Sequence, residues 1–406
     1  MNRQEYLQTQ WSPYPSAPPE ILYAGRIVSV QQKGSALFFQ IELNQQRIEF
    51  SVLDLKLVGV LQPGDLIAVD SSEKVHLLVP GTLLTKTTPI RNLQLWQKFI
   101  QLLRRFFLEE EFLEIQTPSL VVCPGTEPTL DVFSTKIKNG SEEKVLFLPT
   151  SPELHLKKAL CQGFEKVFEI KSCFRNNEFS DHHQPEFTML EWYRAYKDLR
   201  AIEVDMQQLF NFLIDNFSYE PLFTPQSYRV ATVAELFLEF AGGAITTTST
   251  LSDYKKIAEK NNLALRGLES IDDYFFAIFI EKIEPQIPRD QLLVVKDYPP
   301  FQVALARLTP EGWADRMEVY FAGLELANGF NELNDPQEQA RRFEMDLVQK
   351  KSLGKDLIPR DEEFMNFLKI GMPPSAGIAL GVERLFMALF EIKNIKETKL
   401  FPYEWE

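Results

Sequence analysis

The stretch "CFRNNEFSDHHQPEFTMLEWYRAY", Cys173 to Tyr196, crowds arginines, carboxylates and a His-His pair between two apolar runs. "KVFEIKSCFR" and "PEFTMLEWYR" each alternate with period two, so the segment reads as a hairpin with "NNEFSDHHQ" as its long loop. Alternation puts Phe187, Met189, Glu191 and Tyr193 on one face, and Thr188, Leu190, Trp192 and Arg194 on the other. A phenol and a carboxylate then look the same way as aromatic and thioether surface, which suits an amine-bearing, partly apolar ligand. On their own, Arg175, Glu178 and Arg194 read better as surface ion pairs. His182 and His183 are adjacent, face opposite sides of a strand and do not suit a shared metal.

Two more constellations carry chemistry. In "GLELANGFNEL", Glu325 and Glu332 are seven apart on a strand-like run, which puts them on opposite faces unless a bulge restores parity. Asn328-Gly329 is the expected place for that bulge. Brought together, two carboxylates suit a hard divalent cation that also holds phosphate oxygens. "GIALGVERL" sets Gly377 and Gly381 just before a helix carrying Arg384, a fitting cradle for a nucleotide phosphate.

These residues need elements to hold them. "RNLQLWQKFIQLLRRFFLEEEF" is helical, with Leu93, Trp96, Ile100, Leu103 and Phe107 near a 3.6-residue period. "FLEIQTPSL" is a strand stopped by Pro118, and "VLFLPTSPELHLKKALCQG" reads strand, turn, helix. Residues 218–288 form small helices, and the chain returns to strands in "RMEVYFAGLELANGFNEL". Strands grouped with helices outside them, without regular βαβ alternation, predict an α+β domain on an antiparallel sheet. Ahead of it, from Ile21 to about Leu84, five short alternating runs separated by "QKGS", "NQQ" and "QPGD" predict a small OB-like β-barrel. The expected domains are 1–85 for the barrel and 86–406 for the catalytic part, with a helical insertion around 218–288. Phe38 and Phe39, the only adjacent aromatics there that could stack a base, read as barrel core and outer face instead, one on each side.

Composition excludes some classes. At 406 residues with 45% apolar content the chain can bury a sizeable core, and a formal charge of −14 argues against a broad nucleic-acid footprint. Cys123, Cys161 and Cys173 show no CxxC spacing, so neither a disulfide framework nor a zinc site is expected, and a reducing cytoplasm is. The polar, proline-rich start and the lack of a spanning apolar stretch predict neither export nor membrane insertion.

In this order, "FRNNE", "HHQPEFTMLEWYR", "ELANGFNEL" and "GIALGVERL", with Pro118 closing "EIQTPSL", resemble the defining motifs of class II aminoacyl-tRNA synthetases in their lysyl form. With "LPTSPELHLKKAL" they are most similar to a paralogous family, the elongation factor P (R)-β-lysine ligases, over about residues 90–400. The resemblance implies an ATP- and Mg²⁺-dependent ligase that makes an aminoacyl adenylate of (R)-β-lysine or lysine. Elongation factor P would be the acceptor, and the protein would be a homodimer through the elements around Pro118. It also implies that Arg175 contacts the α-phosphate of ATP and Arg384 the γ-phosphate end. Asn176, Asn177, Glu178, Gln184, Leu326 and Gly381 would lie around the nucleotide. Glu325 and Glu332 would bind Mg²⁺, Glu332 also reaching the amino acid. Ser151, Pro152, Glu153, Tyr193 and Ala379 would line the amino-acid site.

The chain departs from the pattern in places. Asn177 stands where the resembling enzymes carry Glu, with Glu178 one place later; Gln184 replaces Asn, and Glu383 replaces Asp. A compact lysyl-tRNA synthetase is the alternative, favoured by the barrel and by Asn334 in "ELND". Against it stand the barrel's few basic residues and Ala379, where synthetases carry Gly. A non-catalytic paralogue used as a binding module is a third reading, opposed by the retention of Arg175, Arg384, Glu325 and Glu332.

Overall fold

The computed structural model describes residues 21–33, 36–43, 46–52, 60–72, 74–80, 90–125, 127–217 and 220–404. The chain separates into two compact units, Met1–Arg91 and Asn92–Glu406.

The first unit is an antiparallel sheet of β1 (Ile21–Lys33), β2 (Ala36–Leu43), β3 (Gln46–Val52), β4 (Leu66–Asp70) and β5 (Val75–Val79), in the order β3-β2-β1-β4-β5. A closed barrel needs β3 to pair with β5, and no such pairing exists among the described residues. Ile27, Leu37, Phe39, Ile41, Ile67 and Val69 form its core, while Phe38 is 43% exposed, so the two phenylalanines divide between inside and outside.

The second unit begins with α1 (Ile90–Glu109), β6 (Leu113–Glu114), the hairpin β7 (Ser134–Asn139) and β8 (Glu142–Phe147), and α2 (Glu153–Cys161). The long-looped hairpin follows as β9 (Lys166–Phe174) and β10 (Glu186–Ala195), then α3 (Leu199–Asn216) and β11 (Ser227–Thr232). Helices α4 (Val233–Phe240), α5 (Leu251–Lys260) and α6 (Ile271–Ile278) make the small insertion. Thr232 and Ser270 start α4 and α6 with reciprocal caps to Glu235 and Asp273, which satisfies orphan N–H groups in a loop-rich region. The insertion buries Phe237, Tyr254, Phe275 and Ile278 against β12 (Gln291–Tyr298). Then come β13 (Ala314–Phe321), β14 (Leu324–Asn331), α7 (Pro336–Ser352), α8 (Glu362–Ile370), β15 (Ser375–Gly381) and α9 (Val382–Phe390).

Eight strands form one sheet in the order β11-β12-β13-β14-β15-β10-β9-β6. Its six central strands pair antiparallel, as expected, but both edges pair parallel, β11 on β12 and β6 on β9. Helices α1, α3 and α9 cover one face with the main core, where Phe107 packs on Phe168 and Trp192 with ring centroids 4.9 and 5.0 Å apart. On α1 the buried stripe is Leu95, Phe99, Leu103, Phe106 and Phe107, rotated from the expected one, with Trp96 and Ile100 at its margin. Hence Phe106 and Phe107 fill the chain's own core, and Leu108, 52% exposed, is left outside.

Candidate active site

The face of the sheet opposite α1 carries the polar residues. Glu169 on β9, Glu191 on β10, Ala379 on β15, Asn328 on β14 and Glu318 on β13 are direct cross-strand neighbours and therefore share that face. The next row holds Tyr193, Gly377, Phe330 and Arg316. A methyl on Gly377 would collide with the Tyr193 ring, so the glycine lets that phenol lie flat on the sheet.

Parity along β14 is restored by a bulge, but not where expected. Pairing is regular through Asn328 and Gly329, and the shift falls between Ala327 and Glu325, with Leu326 the extra residue. The bulge turns Leu326 into the core and Glu325 onto the polar face. Ala322 and Gly323, both at positive φ, make the two-residue turn that brings β14 back along β13. Glu318 and Glu325 then stand close enough for each charge to act on the other.

At one end of the face sits a cluster built around two arginines. Arg384, in the first turn of α9, donates from Nη1 to the Glu325 carbonyl at 2.9 Å and from Nη2 to His183. Burial, then the charge of Arg384, pushes His183 down to about 4, so the ring is neutral at pH 7 and accepts from the guanidinium. Arg175 lies over the Phe187 ring at 5.1 Å, and its buried Nε has no partner among the described residues. Glu325 keeps 40% of its side chain open to the cleft, yet burial by the cleft walls and the nearby Glu318 push its carboxyl up to about 7. A methyl on Gly381 would meet nothing closer than the Arg384 stem at 3.6 Å, which leaves room for a ligand against the backbone.

The other end is acidic. Lys157 Nζ lies 2.5 Å from Glu153 and 2.5 Å from Glu332. Burial opposes its charge, and the two carboxylates more than offset that, keeping the ammonium protonated. Glu332 is pushed up to about 7 by burial in spite of Lys157. Glu191, 1% exposed, accepts from the Tyr193 hydroxyl at 2.5 Å through Oε1, while its Oε2 is buried without a partner among the described residues. Burial, with Glu153 nearby, drives the Glu191 carboxyl well above its usual range. A buried, half-satisfied carboxyl of this kind is poised for a cationic ligand.

The family model for class II tRNA synthetases (D, K and N) matches residues 82–404. The elongation factor P (R)-β-lysine ligase of Haemophilus influenzae (strain PittGG) is 37% identical over 319 residues, 78% of this chain and 96% of that protein. Its counterparts from Hamiltonella defensa and Avibacterium paragallinarum are 35% and 37% identical over 324 residues, in each case 78% of this chain and 97% of the relative. The chain belongs to the class II tRNA synthetases, in the group of the elongation factor P (R)-β-lysine ligases. The first unit's sheet, which ends at Val79, lies before the region matched by the class II synthetase model.

Within this class II site, the residues expected from the sequence divide as follows. Arg175, Arg384, Glu325 and Gly381 meet at the end with the two arginines. Ser151, Pro152 and Glu153 stand at the start of α2, where they adjoin Lys157 and Glu332. Asn176 and Asn177 turn toward Asp131: the Asn176 N–H donates to its carbonyl and Asn177 Nδ2 to its carboxylate, each at 2.9 Å. Glu178 pairs with Arg175 at 3.8 Å. Gln184 is buried, and its oxygen accepts from the Tyr403 N–H at 3.0 Å, so it is held by the C-terminal segment. Asn334 donates to the Met372 carbonyl, a purely internal bond.

One expectation fails. Glu325 and Glu332 share a face but are separated by six strand steps, on the order of 20 Å at about 3.3 Å per residue, so they cannot hold one ion. Glu332 is committed to Lys157. The carboxylate that faces Glu325 is Glu318, which sequence reasoning missed. Its signal was legible: Glu318 precedes a tight turn and lies on the same strand face as Tyr320, the partner of Glu325. Glu318 accepts from Tyr298 at 2.5 Å, from Tyr320 at 2.6 Å and from Arg316, which holds it in place. Among the described residues no cluster of three or more metal-ligating side chains exists. A Mg²⁺ ion is bound through one or two carboxylates together with phosphate oxygens. The open carboxyl of Glu325 is the group suited to it.

Proposed function

We propose that this protein activates (R)-β-lysine, or lysine, with ATP and transfers it from the adenylate to a lysine side chain of elongation factor P. The observation that carries this reading is Glu191 Oε2, without a partner among the described residues, on the acidic part of a sheet face that also carries the Arg175 and Arg384 cluster. A diamine with a carboxylate would lie along that face, with its terminal ammonium on Glu191 and its carboxylate toward Arg175. Arg175 would hold the α-phosphate and Arg384 the γ-phosphate end, stabilising charge that grows as the amino-acid carboxylate attacks phosphorus and pyrophosphate departs. Bound Mg²⁺ would neutralise phosphate charge beside Glu325. The acceptor amine then attacks the carbonyl of the adenylate and AMP leaves. No protein nucleophile is required.

Ala379 lies between Glu191 and Asn328 on the pocket floor, where one methyl sets how deep the substrate backbone settles. Methyl-sized changes are worth roughly 10- to 200-fold in discrimination. Wild-type protein should therefore favour (R)-β-lysine in pyrophosphate exchange and label elongation factor P rather than tRNA, and Ala379→Gly should move the isomer ratio toward α-lysine. A wild type that prefers α-lysine and charges tRNA, with the ratio unmoved by Ala379→Gly, would overturn the reading.

The same reading includes a homodimer, a cytoplasmic location and an OB-like N-terminal barrel that takes no part in activation. The strand order of the first unit is the one a β3–β5 pairing would close. Leu108, Leu113, Leu120 and Val122, each more than 40% exposed around Pro118, support the dimer. All three cysteines are free, and no described helix is long and apolar enough to cross a membrane. A chain starting near Thr85 should retain both its activation rate and a dimeric mass at micromolar concentration; losing the first or finding a monomer refutes the corresponding part.

A further inference from the structure

Beyond Glu191, a second carboxylate near the amino-acid site has no partner to match its charge. Glu127 lies on the segment between Val121 and β7, and its carboxylate takes only its own main-chain N–H among the described residues. Its position is well anchored. Lys350, buried at the end of α7, donates to the Glu127 carbonyl at 3.2 Å and to the Leu130 carbonyl at 2.8 Å. Lys355 binds the Thr129 carbonyl and pairs with Asp131 at 3.1 Å, while Asp131 holds Asn176 and Asn177. The segment is thus tied both to α7 and to the loop that follows Arg175.

Gly125, at φ +153°, lets the segment fold back on itself. A methyl there would lie 2.6 Å from Glu127 Oε2 and would collide with the Thr150 hydroxyl, so that carboxylate and that hydroxyl close around the same bare backbone. Thr150 precedes Ser151 and Glu153, and its own hydroxyl is committed to the Pro124 carbonyl at 2.8 Å. The charges of Glu153, Arg175 and Lys350 all act on Glu127, whose segment adjoins the loop after Arg175 through Asp131 and the start of α2 through Thr150.

The acids around the pocket do not balance. Glu153 and Glu332 share the buried ammonium of Lys157, while among the described residues Glu191 Oε2 is buried with no hydrogen-bond partner and the Glu127 carboxylate takes only its own main-chain N–H. The terminal ammonium of a diamino acid can satisfy only one of them. The other amine stands beside the reacting carboxylate, hence near Arg175, whose charge acts on Glu127.

We infer that Glu127 binds the substrate's second amino group, the one next to the reacting carboxylate, and so selects diamino acids over amino acids that carry only the terminal amine. This rests on the activation reading above. An ammonium hydrogen-bonded to a carboxylate is among the stronger polar contacts, and its loss costs affinity without touching ATP.

The test uses full-length wild type, Glu127→Gln and Glu127→Asp in pyrophosphate exchange with (R)-β-lysine, together with the inhibition constant of 6-aminohexanoate, which keeps the carboxylate and terminal amine but lacks the second amine. Glu127→Gln should raise the KM for (R)-β-lysine by about 10-fold or more. It should leave the KM for ATP, the 6-aminohexanoate constant and the thermal midpoint in place, and Glu127→Asp should fall between. Equal loss for both ligands, or loss for neither, overturns the inference. If wild type uses α-lysine alone, the isomer assignment falls and the same comparison is read with α-lysine; if it activates neither isomer, both conclusions fall.

Discussion

Arg384→Ala should reduce adenylate formation by at least ~10²-fold in pyrophosphate exchange while leaving the fold in place. The guanidinium is held from two sides, by the Glu325 carbonyl and by His183, with its side chain 23% exposed at the cleft. It is therefore aimed before any ligand arrives, and such preorganised charge acts on the growing charge of the transition state. Neither of its bonds supports the core, so the thermal midpoint should shift little. The variant offers a second readout. Removing the positive charge takes away one cause of the low His183 pKa, so its titration, followed by NMR, should move up from about 4 toward the ordinary imidazole range, although burial still holds it down. An unchanged exchange rate would favour a non-catalytic role for the whole cleft.

Glu191→Gln should lower kcat/KM for either lysine isomer by about 10²-fold or more, because a site built to hold a charged donor then presents an amide to it. The replacement is close in size and can still accept from Tyr193. Stability should hold or rise, since a buried carboxyl without a full set of partners is costly in the empty pocket. The decisive pair of measurements is the KM for the amino acid against the thermal midpoint. If KM stays put, Glu191 is a structural acid and the substrate's terminal amine lies elsewhere. If KM rises only alongside a collapse in stability, the same conclusion follows.

Much of the site was legible because period two is a strong signal. The placement of Glu191 and Tyr193 on one face followed from alternation alone, and the glycine before α9 marked a stretch of backbone left open beside Arg384. Register was harder. A bulge shifts parity by one residue, and nothing in "GLELANGFNEL" distinguishes a bulge at Leu326 from one at Asn328-Gly329; parity in either case leaves out the distance along the strand that separates Glu332 from Glu325. Long-range partners were invisible for a different reason. That Tyr403 holds Gln184, or that Lys350 fixes the Glu127 segment, depends on how distant parts of the chain dock. On α1 the helix was evident, but with apolar residues on more than one face the buried stripe was ambiguous until the sheet beneath it was placed.

The strand order also governs when the site can come into being. β15, the last of the described strands in the sequence, sits between β10 and β14, so Glu191 meets Ala379 across more than half the length of the catalytic unit. As the chain leaves the ribosome, the β9–β10 ribbon and the β12–β14 ribbon can each form, but their facing edges wait for Ser375–Gly381 to be made. Contacts this distant in sequence form slowly, and unpaired strand edges invite wrong partners in the interval. A nascent chain short of β15 therefore has two half-sheets and no pocket floor, and binding of the amino acid is a property that the last tenth of the polypeptide confers all at once.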